Sequence, residues 1–188
     1  GRVDGGLAFN GLQVAEVADS AALDFTRSFT LESWVRVDRY ADTWTPLFYK
    51  GDPFADSDNG RNWSAWLQSN GSVWFGVRDA SGPQAVQTPG GLLNDGGWHH
   101  LALVMDREGQ RIRVVVDGVE RASGAVRNAD NLADDHPLRI GTNVEGSNSY
   151  TGFFGAIDEF RLWNVVRSVD DIVADKDAAL AGSPAGLV

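Results

Sequence analysis

The segment from Gly97 to Gly118 has the pattern of one complete β-hairpin, and it constrains the fold more than any other part of the chain. Apolar residues alternate with other residues on both sides of a turn at residues 107–109, namely Leu101, Leu103 and Met105 before it and Ile112, Val114 and Val116 after it. This period of two is typical of strands that bury one face. A lone hairpin is unstable in water, so a second sheet must cover that face. Asp117-Gly118 then predicts a tight turn into a third strand.

Composition narrows the class of protein. A chain of 188 residues with 43% hydrophobic and 22% charged residues fits one β-sandwich and excludes a disordered chain. The net charge of -10, with no basic run, argues against nucleic-acid and anionic-membrane partners. No apolar run approaches the ~20 residues that cross a bilayer, so we expect no membrane insertion. An acidic surface fits either simple solubility or the holding of divalent cations.

Further strand signals recur along the chain with no long helix between them. Residues 7–17 read as a strand, a turn at Asn10-Gly11 and a second strand, and residues 28–37 alternate cleanly. In that second stretch Trp34 and Glu32 share the face away from the core, where we interpret them as a surface Trp and a solvated ion pair. Ser168 predicts the N-cap of a helix that ends near Ala179. The pattern predicts an all-β, two-sheet antiparallel sandwich with one short C-terminal helix.

Three motifs in a fixed order resemble the laminin-G-like, or concanavalin A-like, jelly-roll domains. They are residues 28–35 (SFTLESWV), the Trp98-His99-His100 hairpin that ends in Val116-Asp117-Gly118, and residues 155–164 (GAIDEFRLWN). The resemblance implies a jelly roll over roughly residues 5 to 175. We expect a domain at 1–180 and a linker or tail at 181–188, where Gly, Ser, Pro and Ala dominate. The two ends of the sequence suggest a domain cut from a longer chain with neighbouring domains, and we expect the domain to be monomeric.

Catalysis finds little support in the sequence. Related jelly-roll glycanases carry an E-x-D-x-E strand that pairs two carboxylates, and no such triplet occurs here. Asp158 and Glu159 are adjacent, so on a strand they would point to opposite faces. No G-x-S-x-G or H-E-x-x-H motif is present either. We therefore predict that the domain is not an enzyme, with a glycan-active enzyme as the less favoured alternative.

Two polar loops carry the oxygen ligands that calcium prefers. The first loop contains Asp56, Asp58 and Asn59, and the second contains Asn143, Glu145 and Asn148. A solvated acidic turn would look the same. The pentraxins, which share the superfamily, bind calcium through an Asp-Asn pair before a strand and an acid-amide cluster ahead of the final long strand. The resemblance implies one Ca²⁺ ion held at the rim by Asp58, Asn59, Asn143 and Glu145.

A second ion is implied by the same resemblance. In glycanases and lectins of the superfamily, an Asp of the final strand joins backbone carbonyls near the N-terminal strand around a structural calcium. Asp158 matches that Asp, and Asn10 and Gly11 are plausible carbonyl donors. The alternative is that Asp158 caps a turn or pairs with Arg161.

Aromatic residues next to the polar loops would provide the flat faces on which sugars stack. Trp44, Trp63 and Tyr150 meet this condition, whereas Trp66 and Trp74 lie in strands and are more often core. We therefore expect Trp44, Trp63, Asn148 and Tyr150 to contact a ligand.

The resulting hypothesis is a non-catalytic, calcium-dependent, lectin-like module. Its partner would be a glycan or cell-surface glycoconjugate, and its host an extracellular or cell-surface protein such as a bacterial adhesin. Two alternatives stay open, a protein- or peptide-binding module and a purely structural spacer, because folds of this kind serve many functions.

Overall fold

The computed structural model describes residues 1–3, 5–40, 44–52, 61–79, 82–127, 132–142 and 152–188. Within these ranges the chain forms twelve strands and one helix. In chain order the elements are β1 (Leu7–Asn10), β2 (Ala15–Val17), β3 (Phe29–Arg39), β4 (Trp44–Gly51), β5 (Arg61–Gln68), β6 (Val73–Asp79), β7 (Gly82–Gln87), β8 (Trp98–Asp106), β9 (Arg111–Val116), β10 (Val119–Ala125), β11 (Leu138–Ile140), β12 (Phe154–Trp163) and α1 (Val169–Asp175).

Two six-stranded antiparallel sheets make up the domain. Sheet A has the order β1-β12-β3-β8-β9-β10, and sheet B has the order β2-β11-β4-β5-β6-β7. The predicted all-β, two-sheet sandwich is confirmed. The hairpin of residues 97–118 is confirmed as well, since Leu103 of β8 pairs with Val114 of β9 and both side chains are fully buried between the sheets.

Residues 7–17 form the predicted strand, turn and second strand, but the two strands do not pair with each other. β1 pairs with β12 in sheet A, whereas β2 pairs with β11 in sheet B. The turn at Gly11, whose φ is 87°, therefore carries the chain from one sheet to the other. Local sequence cannot separate these outcomes, because a turn that joins two sheets uses the same Asn-Gly signal as a turn that joins two neighbouring strands.

The C-terminal segment covers the outer face of sheet A. Ser168 caps α1 and forms a capping box with Asp171, as its sequence position predicts, but the helix ends at Asp175, before Ala179. Ile172 of α1 is buried against three outward-facing side chains of β8 and β9, namely Ala102, Val104 and Val115.

The last residues of the chain are also part of the packed domain. Leu187 bridges to Trp163, and the N–H of Val188 donates to the carbonyl of Leu162 over 2.8 Å. The predicted linker at 181–188 is therefore hydrogen-bonded to the end of β12. Sheet A is covered on both faces, whereas no helix of the described ranges lies on the outer face of sheet B.

Candidate functional site

The strands that flank the two predicted calcium loops point in opposite directions. Leu138 of β11 pairs with Lys50 and Ile140 pairs with Phe48, so β11 runs towards the start of β4. Asp52 and Thr142 are the described flanks of the two loops, and they continue from opposite ends of sheet B, about 20 Å apart along β4 at about 3.3 Å per residue. The described strands therefore give no support to one ion shared between the two loops.

Most of the predicted ion and ligand residues lie outside the described ranges. These are Asp56, Asp58, Asn59, Asn143, Glu145, Asn148 and Tyr150. Among the residues that the structure does describe, no group of three or more His, Cys, Asp or Glu side chains is arranged to hold a metal ion.

Asp158 is described, and its carboxylate is occupied by hydrogen-bond donors. Oδ2 accepts the backbone N–H groups of Arg2 at 2.5 Å and Val3 at 2.8 Å, and Oδ1 accepts that of Glu159 at 2.9 Å. These bonds lower the pKa of Asp158 although burial opposes the shift. N–H groups cannot ligate a cation, and Asn10 pairs with Phe154, ~13 Å along the strand from Asp158. Asp158, Asn10 and Gly11 therefore do not form one ion site, and Asp158 ties down the N-terminus instead.

The positions of Trp63 and Trp66 on β5 are the reverse of those that the sequence suggested. Trp63 faces inward with 0% of its surface exposed, so it presents no ring face to a ligand. Trp66 points to the outer face of sheet B, as does Trp74 of β6, its cross-strand partner. The sequence contains this information, because residues two apart on a strand point to the same face. Ala65 and Leu67 therefore share the face of Trp63, whereas Ser64 and Gln68 share the face of Trp66.

Aromatic side chains form a row across the outer face of sheet B. Trp44, Trp66 and Trp74 lie on this face together with Tyr49, whose ring meets that of Trp66 edge to face at 6.3 Å. Trp66 is buried, but Trp44 and Trp74 are half-buried and keep accessible surface. Trp44 is thus the one predicted stacking residue that the structure describes with part of its surface open.

Glycine gives Trp74 its position. A Cβ atom added to Gly76 would lie 2.2 Å from Cη2 of Trp74, so the indole rests directly on the backbone of Gly76. The ring is thereby held close to the sheet, and Trp74 as a whole is half-buried.

Polar groups surround this aromatic row. Oε1 of Gln68 accepts hydrogen bonds from Ser72 at 3.0 Å and from Gln87 at 2.9 Å, and Gln87 is directly opposite Trp74 on β7. On the other side, the guanidinium carbon of Arg61 lies 4.6 Å from the ring centre of Trp66. Arg78 is the next outward residue after Gly76, and it lines a narrow cleft with Arg61, Trp74 and Pro83. The outer surface of sheet B thus combines half-buried rings with amide and guanidinium donors. We call this surface the sheet B face.

The sequence matches the Laminin_G_3 family model, described as the concanavalin A-like lectin/glucanases superfamily, over residues 9–173. The chain belongs to this superfamily.

Several solved structures are similar to this superfamily member at low sequence identity. The binding domain of Paraclostridial Mosquitocidal Protein 1 is 16% identical with a TM-score of 0.74, over 93% of this chain and 43% of that chain. A candidate carbohydrate-binding protein from Bacteroides ovatus is 18% identical with a TM-score of 0.72, over 93% and 47%. The CBM40 of the Ruminococcus gnavus IT-sialidase is 15% identical with a TM-score of 0.69, over 90% and 95%. The likeness establishes the shared jelly-roll fold.

This concanavalin A-like domain spans less than half the length of the first two of these proteins. A comparison of its sequence with curated proteins finds no match. Across the described ranges, no helix is long and apolar enough to span a bilayer.

Glu32 and His100, two groups of this domain with large pKa shifts, lie away from the sheet B face. Burial raises the pKa of Glu32 to about 7, against the opposing effect of Arg167, and Glu32 is fully buried on the outer side of sheet A. Oε2 of Glu32 lies 3.6 Å from Nε2 of His100, whose pKa burial lowers to about 4. Shifts of this kind often mark catalytic groups. Here both groups are inaccessible, so they belong to the packing of the domain.

Proposed function

We propose that this domain is a non-catalytic glycan-binding module and that the sheet B face is its binding surface. The observation that carries the proposal is Trp74, a half-buried indole that rests on Gly76 and has polar side chains on both sides. A pyranose ring has an apolar face that packs on an indole, and its hydroxyl groups need donors and acceptors at the rim of that contact. Trp44 extends the same surface by one further ring.

A solved structure with a similar fold supports a glycan as the ligand. The CBM40 of the Ruminococcus gnavus IT-sialidase has been solved with α2,3 and with α2,6 sialyllactose. We extend glycan binding to this chain because its own open face has the composition that sugar recognition requires. An extracellular or cell-surface host, such as an adhesin, fits a glycan partner and the acidic composition of the chain.

Calcium dependence is the part of the proposal that rests on sequence alone. The oxygen ligands would come from Asp56, Asp58 and Asn59 in one segment and from Asn143 and Glu145 in the other. Since the flanks of these segments leave sheet B at opposite ends, we propose that each segment binds its own ion.

One observation favours a second function, in which the domain packs on a protein. Apolar side chains are exposed on the edge strands β1 and β2 and in the connection between them, namely Leu7 at 50%, Val17 at 43% and Leu12 at 89%. Exposed apolar residues in a row are typical of a protein contact. A neighbouring domain of a longer chain or a separate polypeptide would fit this edge.

A glycan array separates these functions. The wild-type protein is expected to bind a set of glycans, and Trp74→Ala is expected to lose about tenfold in affinity for them, as the removal of a central aromatic anchor does. Trp98→Ala is the matched control, because Trp98 is also half-buried but belongs to sheet A. Repeating the array with calcium and with chelator tests the ion dependence separately. Absence of any glycan signal, or equal losses in the two variants, would contradict the sheet B face as a glycan site.

A further inference from the structure

The two sequence motifs at the ends of the central hairpin, Trp98-His99-His100 and Asp117-Gly118, meet at one side chain. His99 lies at the start of β8, and 15% of its side chain is exposed. Its Nδ1 atom is 2.8 Å from Oδ2 of Asp117, in the turn between β9 and β10. Its Nε2 atom is 2.9 Å from Oδ1 of Asp95, in the loop between β7 and β8. Each ring nitrogen of His99 therefore faces a carboxylate.

The two carboxylates beside His99 require a proton on each ring nitrogen. An ionised carboxylate can only accept hydrogen bonds. A neutral imidazole has a single N–H group and can donate to one of the two carboxylates, whereas an imidazolium donates to both. The surroundings of His99 are thus those of a charged ring. Burial lowers the pKa of His99, but the hydrogen bonds to Asp117 and Asp95 outweigh this effect and raise the pKa above its usual value of 6.5.

Asp95 and Asp117 are the charged groups that face the ring of His99. Within the described ranges, no other charged side chain forms a hydrogen bond or ion pair with it. Other charged groups at this end of sheet A have partners of their own or point to the opposite face of the sheet, namely Arg36 with Asp38 at 2.8 Å and His100 with Glu32 at 3.6 Å. The protonation of His99 is therefore coupled to its contacts with Asp95 and Asp117.

The two contacts of His99 are not equally well supported. Asp117 is fixed by the backbone, because its Oδ1 atom accepts the N–H of His100 at 2.9 Å and its own N–H donates to the carbonyl of His100 at 2.9 Å. Asp95 has a 66% exposed side chain, and its further hydrogen bond is local, from the N–H of Gly97 at 2.7 Å. When the ring loses one proton, the remaining N–H should therefore stay on Nδ1, towards Asp117, and Asp95 should be released.

Asp95 ties down only the last part of the loop between β7 and β8. The earlier part is held by other residues. The N–H of Gly91 donates to the carbonyl of Asn70 at 2.7 Å, and the carbonyl of the buried Leu93 accepts the hydroxyl of Tyr40 at 2.9 Å. Release of Asp95 would therefore free residues 94–97 and leave the rest of the loop in place.

We infer that Asp95, His99 and Asp117 form a pH-dependent clamp. The clamp holds residues 94–97 against the turn of the central hairpin while the imidazole is charged, and it opens once the imidazole is neutral. The raised pKa of His99 keeps the clamp closed at pH values at which a free histidine has already lost its charge. The clamp does not depend on the proposed function.

Nitrogen-15 NMR of the histidine rings and the backbone, from about pH 5 to about pH 10, tests the clamp. We expect His99 to titrate above pH 6.5, with the proton leaving Nε2 and remaining on Nδ1. The backbone order parameters of residues 94–97 should fall from about 0.85 to below about 0.6 through the same titration. Titration of His99 at or below pH 6.5, loss of the Nδ1 proton first, or unchanged order parameters would overturn the inference.

Asp95→Asn should abolish the pH dependence. The amide of Asn can donate to Nε2 of a neutral imidazole, so residues 94–97 should stay ordered over the whole pH range while the titration midpoint of His99 falls. Asp106→Asn is the matched control, because Asp106 lies at the other end of β8 and its substitution changes the net charge equally. Thermal melting of both variants confirms that they are folded. Equal behaviour of the two variants would mean that Asp95 does not hold the loop.

Discussion

The Nζ atom of Lys50 lies 2.6 Å from Oδ1 of Asp134, and the side chain of Lys50 is completely buried. The same ammonium donates to Oδ1 of Asp19 at 2.8 Å and to the carbonyl of His136 at 2.6 Å. One side chain of β4 thus ties together two segments that are more than a hundred residues apart in sequence. An amine in a cage of carboxylate and carbonyl oxygens has the role that a metal ion serves in other domains.

Replacing Lys50 by Met should lower the free energy of unfolding by about 3 kcal/mol. The change removes the cation and leaves two carboxylates facing each other without it, which is the costly way to break a buried ion pair. Urea denaturation measures the effect. Arg36→Met is the control, since the Arg36–Asp38 pair is exposed and its loss should cost less than about 1 kcal/mol. Equal effects of the two substitutions would show that the Lys50 cage does not stabilise the fold.

Glu32→Gln should change how stability depends on pH. Burial raises the pKa of Glu32 from 4.5 to about 7, so its contribution is fully present below pH 4.5 and is lost as the pH rises through about 7. Gln stays neutral throughout. The variant should therefore gain stability relative to wild type between pH 4.5 and 8, by at most about 3 kcal/mol. Urea denaturation at several pH values measures the difference.

The difference between the two proteins, and not the wild-type profile alone, is the quantity that tests Glu32. His100 changes the free energy of unfolding with pH in the opposite direction. Because its pKa is lowered to about 4, its contribution to stability is lost as the pH falls below 6.5. His100 is present in both proteins, so most of its effect cancels in the comparison. A difference that does not vary with pH would mean that Glu32 is ionised in the folded domain.

Trp63→Ala and Trp44→Ala should have opposite consequences. Trp63 is fully buried in the core, and its truncation should cost about 3 to 5 kcal/mol of stability. Trp44 lies half-buried on the sheet B face, so its truncation should cost less stability and weaken glycan binding. Melting temperature and glycan affinity, measured on both variants, separate the two roles. Normal stability of Trp63→Ala would contradict its place in the core.

Gly76→Val should displace the indole of Trp74. The added Cβ atom would lie 2.2 Å from Cη2 of Trp74, a contact that forces the ring away from the sheet. We expect about a tenfold loss of glycan affinity, similar to that of Trp74→Ala. Ala85→Val is the matched control, because Ala85 is the cross-strand partner of Gly76 and is exposed. Unchanged binding by Gly76→Val would exclude Trp74 as the stacking residue.

Strand identity could be predicted where one face is apolar. Leu101, Leu103 and Met105 place β8 correctly, and Ser168 places the start of α1. Such signals act between neighbours in sequence. Trp63 and Trp66 show where this approach fails. Trp63 was expected to contact a ligand because it is near a loop, but the position of each ring depends on which face of β5 its residue occupies.

By itself the sequence determined the all-β class, the membership in the concanavalin A-like superfamily, the central hairpin and the capped helix. Only the tertiary structure decided which outer face is available. Glu32 and Trp34 were expected at the surface, yet α1 and the residues around it bury them, while Trp74 remains open. The physical reason is that alternation along a strand fixes which residues share a face, whereas the covering of that face depends on segments more than a hundred residues away.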